Sequence, residues 1–162
     1  MKKWLALALG ALLIVTVSCG GNKTTEKPQA SQKVIKVGTN PDFAPFEFID
    51  GNGQMAGFDL DLIHAIGKKM GVKIEMQNIA WDGLIPAVQS GNVDLAIAGM
   101  AITEERKKVL LFSDPYYESG LTIMVPKNSS IQSIKDLEGK KIAVQIGTMS
   151  SKKAKEMPNA SV

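Results

Sequence analysis

Arg106 is the side chain in this sequence best placed to hold a small anion. It follows Thr103-Glu104-Glu105 in the first turn of an expected short helix, where its planar fork can grip a carboxylate through two charge-assisted bonds. Backbone amides near Gly99 and Ala101, just upstream, can add to that grip, and the first-turn amides of the helix put positive potential in the same place. The same arginine can instead pair with Glu104 or Glu105 at the surface. Phe43 and Trp81 lie just beyond two apolar strands, at the sheet edge where open α/β folds bind ligands. Aromatic faces there can sandwich an aliphatic stem or a cation, or simply pack in a core. Core packing is the reading for Phe46, Phe48 and Phe58. Asn40 offers an amide beside this group, though Asn before Pro41 is also ordinary turn chemistry. A fixed cation, polar acceptors and an apolar wall together suit a small zwitterion such as a free amino acid.

Other chemistries find little support. His64 is the only histidine, and it sits in a helical stretch with Leu62 and Ile63, so it reads as structural. No metal site and no cofactor site is legible. The run Asp50 to Gly53 lacks the strand-to-helix loop that cradles phosphate. Ser113, Thr148 and Ser150 have no base at a recognisable spacing, so no catalytic residue is assigned and an enzyme is not expected.

The 162 residues carry 19 basic and 16 acidic side chains. Setting aside Lys2 and Lys3 leaves about one net charge and no basic field, so nucleic acid is not an expected partner. Lys2 and Lys3 precede an apolar run from Trp4 to Val17, too short for a bilayer span, which ends in small residues before Cys19. That is the outline of an export signal over residues 1–19. Cys19 is the only cysteine, so no internal disulfide forms. Residues 20–33 are polar without apolar periodicity and read as a disordered tether.

The remaining elements must position the candidate residues. Val34 to Thr39 alternates apolar and polar and predicts a strand running into the Asn40 loop. Phe46 to Ile49 and Gln54 to Phe58 flank the Asp50-Gly51-Asn52-Gly53 turn and predict a hairpin excursion. Leu62, Ile63, Ile66 and Met70 share one helical face from Asp59 to Met70, with Asp59 expected as the cap and Gly71 as the stop. Lys73 to Gln77 and Val93 to Ala98 read as strands. A helix from about Asp82 to Ser90 lies between them, with Pro86 expected in its first turn. Strands alternating with helices imply an α/β class with a largely parallel sheet. Downstream, strands are expected at Leu121 to Val125 and Lys141 to Ile146, and helices at Ser133 to Leu137 and Met149 to Glu156. This divides the rest into a first lobe over 34–118 and, over 119–162, a crossing segment with a partial second lobe.

Six stretches carry a resemblance. They are Gly38-Thr39-Asn40 with Phe43-Ala44-Pro45-Phe46-Glu47-Phe48; Gly57-Phe58-Asp59-Leu60-Asp61-Leu62; Trp81-Asp82-Gly83-Leu84-Ile85-Pro86-Ala87; Ala98 through Arg106; Phe112-Ser113-Asp114-Pro115-Tyr116-Tyr117; and Asp136-Leu137-Glu138-Gly139-Lys140-Lys141. In this order they resemble the family-3 solute-binding proteins, the polar amino-acid-binding proteins of ABC transporters, from about Val34 to Thr148. The resemblance implies a periplasmic-binding-protein-like clamp of two lobes that close on a free amino acid about a two-strand hinge. It places Arg106 on the α-carboxylate, helped by Gly99 and Ala101, with Phe43 and Trp81 lining the side-chain pocket. Asn40 stands where relatives often have an acid that contacts the ligand, and Ala101 where many have a hydroxyl. Gln145 and Thr148 match second-lobe contacts. The Cys19 region resembles a lipobox, with Thr16 departing from its usual aliphatic residue. It implies a membrane-anchored lipoprotein at the periplasm or cell surface, a monomer that serves an ABC-transporter permease. The family's ammonium-binding acid and return strand find no match here, so the chain is expected to be truncated. Two rivals use the same fold: a dehydratase of aromatic amino-acid precursors, which would need an acid or base in the cleft, and the ligand-binding domain of a sensor.

Overall fold

The computed structural model describes residues 32–162; the expected signal, Cys19 and nearly all of the expected tether lie outside them. Strand β1 (Val34–Thr39) is the centre of a three-stranded parallel sheet, with β5 (Lys73–Asn78) on one side and β6 (Leu95–Ala96) on the other. Val34 pairs with Lys73 and Thr39 with Asn78, so β1 and β5 end together; Val37 and Gly38 pair with Leu95 and Ala96. Only the C-terminal half of β1 is enclosed: Val37, Gly38 and Thr39 are buried, whereas Val34 and Lys36 at its start are exposed.

Between β1 and β5 the chain makes an antiparallel excursion of β2 (Asp42–Phe43), β3 (Glu47–Ile49) and β4 (Met55–Ala56). The β3–β4 turn closes as the sequence predicts: Asp50 accepts the amides of Asn52 and Gln54 on its side chain, and that holds its carboxyl below the usual range. Gly57 then joins the excursion to helix α1 (Phe58–Met70) at φ +127°. A Cβ there would stand 2.2 Å from the Phe46 carbonyl oxygen, so only glycine fits.

Helix α1 ends at Gly71 as expected, but Asp59 is not its cap. Gly57 takes the cap position without a side-chain bond, and Asp59 turns inward, fully buried. The buried stripe is therefore Asp59, Leu60, Ile63 and Gly67; Ile66 and Met70, expected on the inner face, are exposed. Helix α2 (Trp81–Gln89) begins at Trp81, one residue early, so Pro86 falls in its second turn. The cost stays low because the carbonyl four residues back belongs to Asp82, at the start of the helix.

The core gathers Val37, Ile63 and Ile97, with Ile35, Leu62, Ile74, Met76 and Leu95 packed against them. Leu84, on the inner face of α2, and Val93 close it near Gly38, where even a Cβ would come within 3.2 Å of Leu84. The third strand is shorter than the expected Val93 to Ala98, but backbone bonds from Asp94 to Lys36 and from Ile97 to Gly38 continue its ladder.

Beyond the sheet lies α3 (Glu104–Lys107), a single turn capped by the Thr103 hydroxyl, which accepts the Arg106 amide. Residues 111–125 run without a strand, against the expected one at Leu121 to Val125. Alternation alone does not make a strand; it needs a neighbour to pair with, and none of the described residues supplies one. The same reason leaves Lys141 to Ile146 with one parallel bridge, Lys141 to Ser161. The two helical stretches do form: a 3-10 turn at Ile134–Leu137, closed by a reciprocal cap between Ser133 and Asp136, and α4 (Met149–Lys155), capped by Thr148. Among the described residues no helix is long and apolar enough to cross a membrane.

Candidate functional site

Parallel strands deliver their C-terminal ends to one edge of a sheet, and the candidate residues follow from that. Asn40 comes directly after β1, Trp81 three residues after β5, and Gly99 to Ala101 shortly after β6. Arg106 is brought back by the single turn of α3.

The Arg106 guanidinium lies over the Trp81 ring, with Cζ 5.5 Å from the ring centroid. One terminal nitrogen donates to the Ala101 carbonyl at 2.6 Å and the other to the Gly147 carbonyl at 3.0 Å. A guanidinium has five N–H groups, so three remain for a ligand. Burial lowers the Arg106 pKa from its ordinary value, with Glu105 opposing the shift; arginine remains a cation at neutral pH regardless. The surface alternatives are taken elsewhere. Glu104 pairs with Lys107 at 2.8 Å and Glu105 with Lys152 at 2.6 Å, and the Lys152 bond brings the exposed Glu105 carboxyl down to about 2. Neither acid is the partner of Arg106.

The remaining expected residues divide between two hollows. Asn40, Trp81 and Gln145 line an open one of about 540 Å³, together with Asp42, Asn78 and Asp82. Here the Asn40 amide donates to the Asp42 carboxylate at 3.0 Å. Phe43, Gly99 and Ala101 line a second hollow of about 460 Å³ with Phe46, Tyr116 and Tyr117. Phe43 stacks on Phe46, and Phe46 meets Tyr117 edge-on with ring centres 4.8 Å apart. Phe58, expected in the core, is exposed and stacks on Tyr116. Thr148 spends its hydroxyl inside the chain, donating to the Gln145 carbonyl at 2.7 Å and accepting the Ser151 amide. The Gly99 amide is likewise used internally, by Asp59.

Sequence reasoning missed two groups. Asp42 and Asp82 flank Trp81 in the first hollow and give it negative charge; the clue was their nearness to Asn40 and Trp81, but each also suits a turn or a helix start. The second group is a buried acid cluster. Glu47 is 1% exposed and Asp59 0% exposed. Asp59 accepts the Gly99 amide at 2.8 Å and the Tyr116 hydroxyl at 2.9 Å on the same oxygen. Burial and contact with Asp59 push the Glu47 carboxyl up to about 9. Burial, then the bond to Asp59, likewise raises the Tyr116 hydroxyl. No group of histidine, cysteine or acidic side chains among the described residues is arranged to hold a metal.

Residues 35–160 match the family model of bacterial extracellular solute-binding proteins, family 3. The chain is 41% identical over 157 residues to an arginine-binding extracellular protein of Bacillus subtilis (strain 168), a match covering 97% of this chain and 61% of that protein. It is 41% identical over 140 residues to a probable histidine-binding protein of Neisseria gonorrhoeae, covering 85% of this chain and 52% of that one. A solved structure of an ancestral arginine-binding protein bound to arginine superimposes with a TM-score of 0.78 at 50% identity, covering 81% of this chain and 60% of that chain. The chain thus spans just over half the length of the relatives it matches, and its parallel sheet is part of the periplasmic-binding-protein fold. The family model covers nearly all the described residues, and the chain belongs to the bacterial extracellular solute-binding proteins, family 3.

Proposed function

We propose that this chain supplies the first lobe and the crossing segment of a receptor for a free amino acid with a cationic side chain, captured outside the cytoplasm and passed to an ABC importer. The observation that carries the reading is the Arg106 guanidinium, held over the Trp81 ring by two carbonyls with three donors to spare. It takes the ligand's α-carboxylate. Trp81 supplies an apolar face in the first hollow, where Asn40, Asp42, Asp82 and Gln145 make the wall polar and acidic, and Phe43 supplies one in the second. An acidic wall favours arginine or histidine over neutral amino acids, in keeping with the ligands for which the two relatives are named. Gly147 and Thr148 approach from the second part of the chain, so the Arg106 to Gly147 bond is one that closes across the cleft and rearranges when ligand enters. Capture makes and breaks no covalent bond.

The same reading assigns residues 1–19 to an export signal, Cys19 to lipid attachment, 20–33 to a tether, 34–118 to the first lobe and 119–162 to the crossing and partial second lobe. A permease is then the protein partner, and the receptor acts as a monomer.

Isothermal titration of L-arginine, L-histidine and L-glutamine into the full chain and its Arg106→Ala variant tests the proposal. Binding of the basic ligands is expected, reduced by about 2 to 5 kcal/mol in the variant because a buried charge pair is left half-made. Equal binding by both proteins would remove Arg106 from its role.

A further inference from the structure

Glu47 and Asp59 form a buried pair of acids that the carboxylate anchor does not itself use. Asp59 reaches the anchor through one connected path: its Oδ2 accepts the Gly99 amide, Gly99 opens the short turn to Ala101, and the Ala101 carbonyl accepts the Arg106 guanidinium. Gly99 holds φ +53°, and a Cβ there would sit 3.2 Å from the Phe43 ring, so this turn is clamped between an aromatic face and a carboxylate. The clamp has a gap in its hydrogen bonding. Glu47 Oε2 and Asp59 Oδ1 are both buried without a hydrogen-bond partner, and both acids meet at Gly99, whose amide bonds Asp59 at 2.8 Å and whose Cβ, were there one, would stand 3.8 Å from Glu47 Oε1. Two such anions side by side, without a cation, repel and lose their hydration. A single proton between them removes both faults.

We propose that Glu47 is a positioning residue that keeps a proton at neutral pH and donates it to Asp59, so that Asp59 holds the Gly99 to Ala101 turn and, through it, the angle of Arg106. The groups facing this proton are Asp59 from α1, Tyr116 from the segment after α3 and the Gly99 amide from the turn after β6. No lysine or arginine among the described residues shifts the Glu47 carboxyl, which therefore rises to about 9 through burial first and Asp59 second. The folded chain then keeps a proton that the unfolded chain releases near its ordinary 4.5. Stability from this pair is complete below about 4.5, falls as pH rises, and levels off above about 9.

The consequence for Arg106 rests on the receptor reading; the proton itself does not, and a ligand-free measurement separates them. In the full chain without any amino acid, the carbon-13 resonance of the Glu47 carboxyl is expected to titrate near pH 9, with the Gly99 amide following the same midpoint. Glu47→Gln keeps the donor but cannot titrate, so the Gly99 movement should vanish. The unfolding constant of the native chain, relative to that of Glu47→Gln, should rise roughly tenfold per pH unit between about 5 and 9. Titration of Glu47 between about 4 and 5, or a Gly99 midpoint unchanged in Glu47→Gln, overturns the proposal. With L-arginine as probe at pH 7, Glu47→Leu should lose about tenfold in affinity, near one hydrogen bond's worth, and Glu47→Gln should recover it. Equal loss in both variants would mean that packing, and not the donor, is what Glu47 supplies.

Discussion

At the scale of single residues, the proposed site depends on a guanidinium whose neighbours leave it underemployed. Lysine in its place keeps the charge but not the planar fork or the stacking on Trp81. Arg106→Lys should therefore weaken arginine binding by at least about tenfold, while an exposed arginine would tolerate the change; fluorescence of Trp81 during titration reads both. The acids of the first hollow act differently, because Asp42 and Asp82 are exposed and screened. Asp42→Asn and Asp82→Asn should each cost the cationic ligands about 0.2 to 1 kcal/mol, leave L-glutamine unchanged, and lose that difference in high salt. Calorimetry with L-arginine and L-glutamine at low and high salt separates this from a general loss of packing.

At the scale of elements, the edge of the sheet is held in place by what lies beneath it. Leu84 is fully buried on the inner face of α2, the helix that begins with Trp81. Leu84→Ala should destabilise the chain by about 2 to 5 kcal/mol in urea unfolding, through lost burial and the cavity left behind. Gly57 governs the other junction. A methyl group there meets the Phe46 carbonyl at a backbone angle that side chains avoid, so Gly57→Ala should destabilise the chain even though the residue is itself only half-buried. Because Asp59 follows two residues later, the same variant should also disturb the Gly99 amide, which proton NMR would register.

At the scale of the whole molecule, order is unevenly spread. Residues 34–98 hold both sheets and the main core, whereas 119–162 hold a 3-10 turn, one short helix and an isolated bridge. Leu121, Ile123, Met124 and Ile146 are exposed apolar side chains along this second stretch. Local opening should follow the same division. In hydrogen exchange the amides of β1 should be the slowest, and those of 119–125 should exchange within the first time points. Comparable protection in both would show that the crossing segment is paired in solution.

The α/β class, the order of elements as far as α3, the Gly71 stop and the gathering of Arg106 and Trp81 at one edge of the sheet were legible in the sequence, because they rest on local signals: alternation, helical spacing, caps and a motif order. Local signals also misled. Asp59 has the type and place of a helix cap, and only packing against Gly99, Tyr116 and Glu47 draws it inward. Leu121 to Val125 has the alternation of a strand, yet a strand exists only where a neighbour accepts its hydrogen bonds. Glu47 reads as an ordinary polar residue of a hairpin, and its burial depends on α1 closing over it. What the sequence determined by itself was each segment's preference and the kinds of chemistry on hand. What the tertiary structure decided was which polar groups lost their water, because desolvation is a property of neighbours distant in the chain.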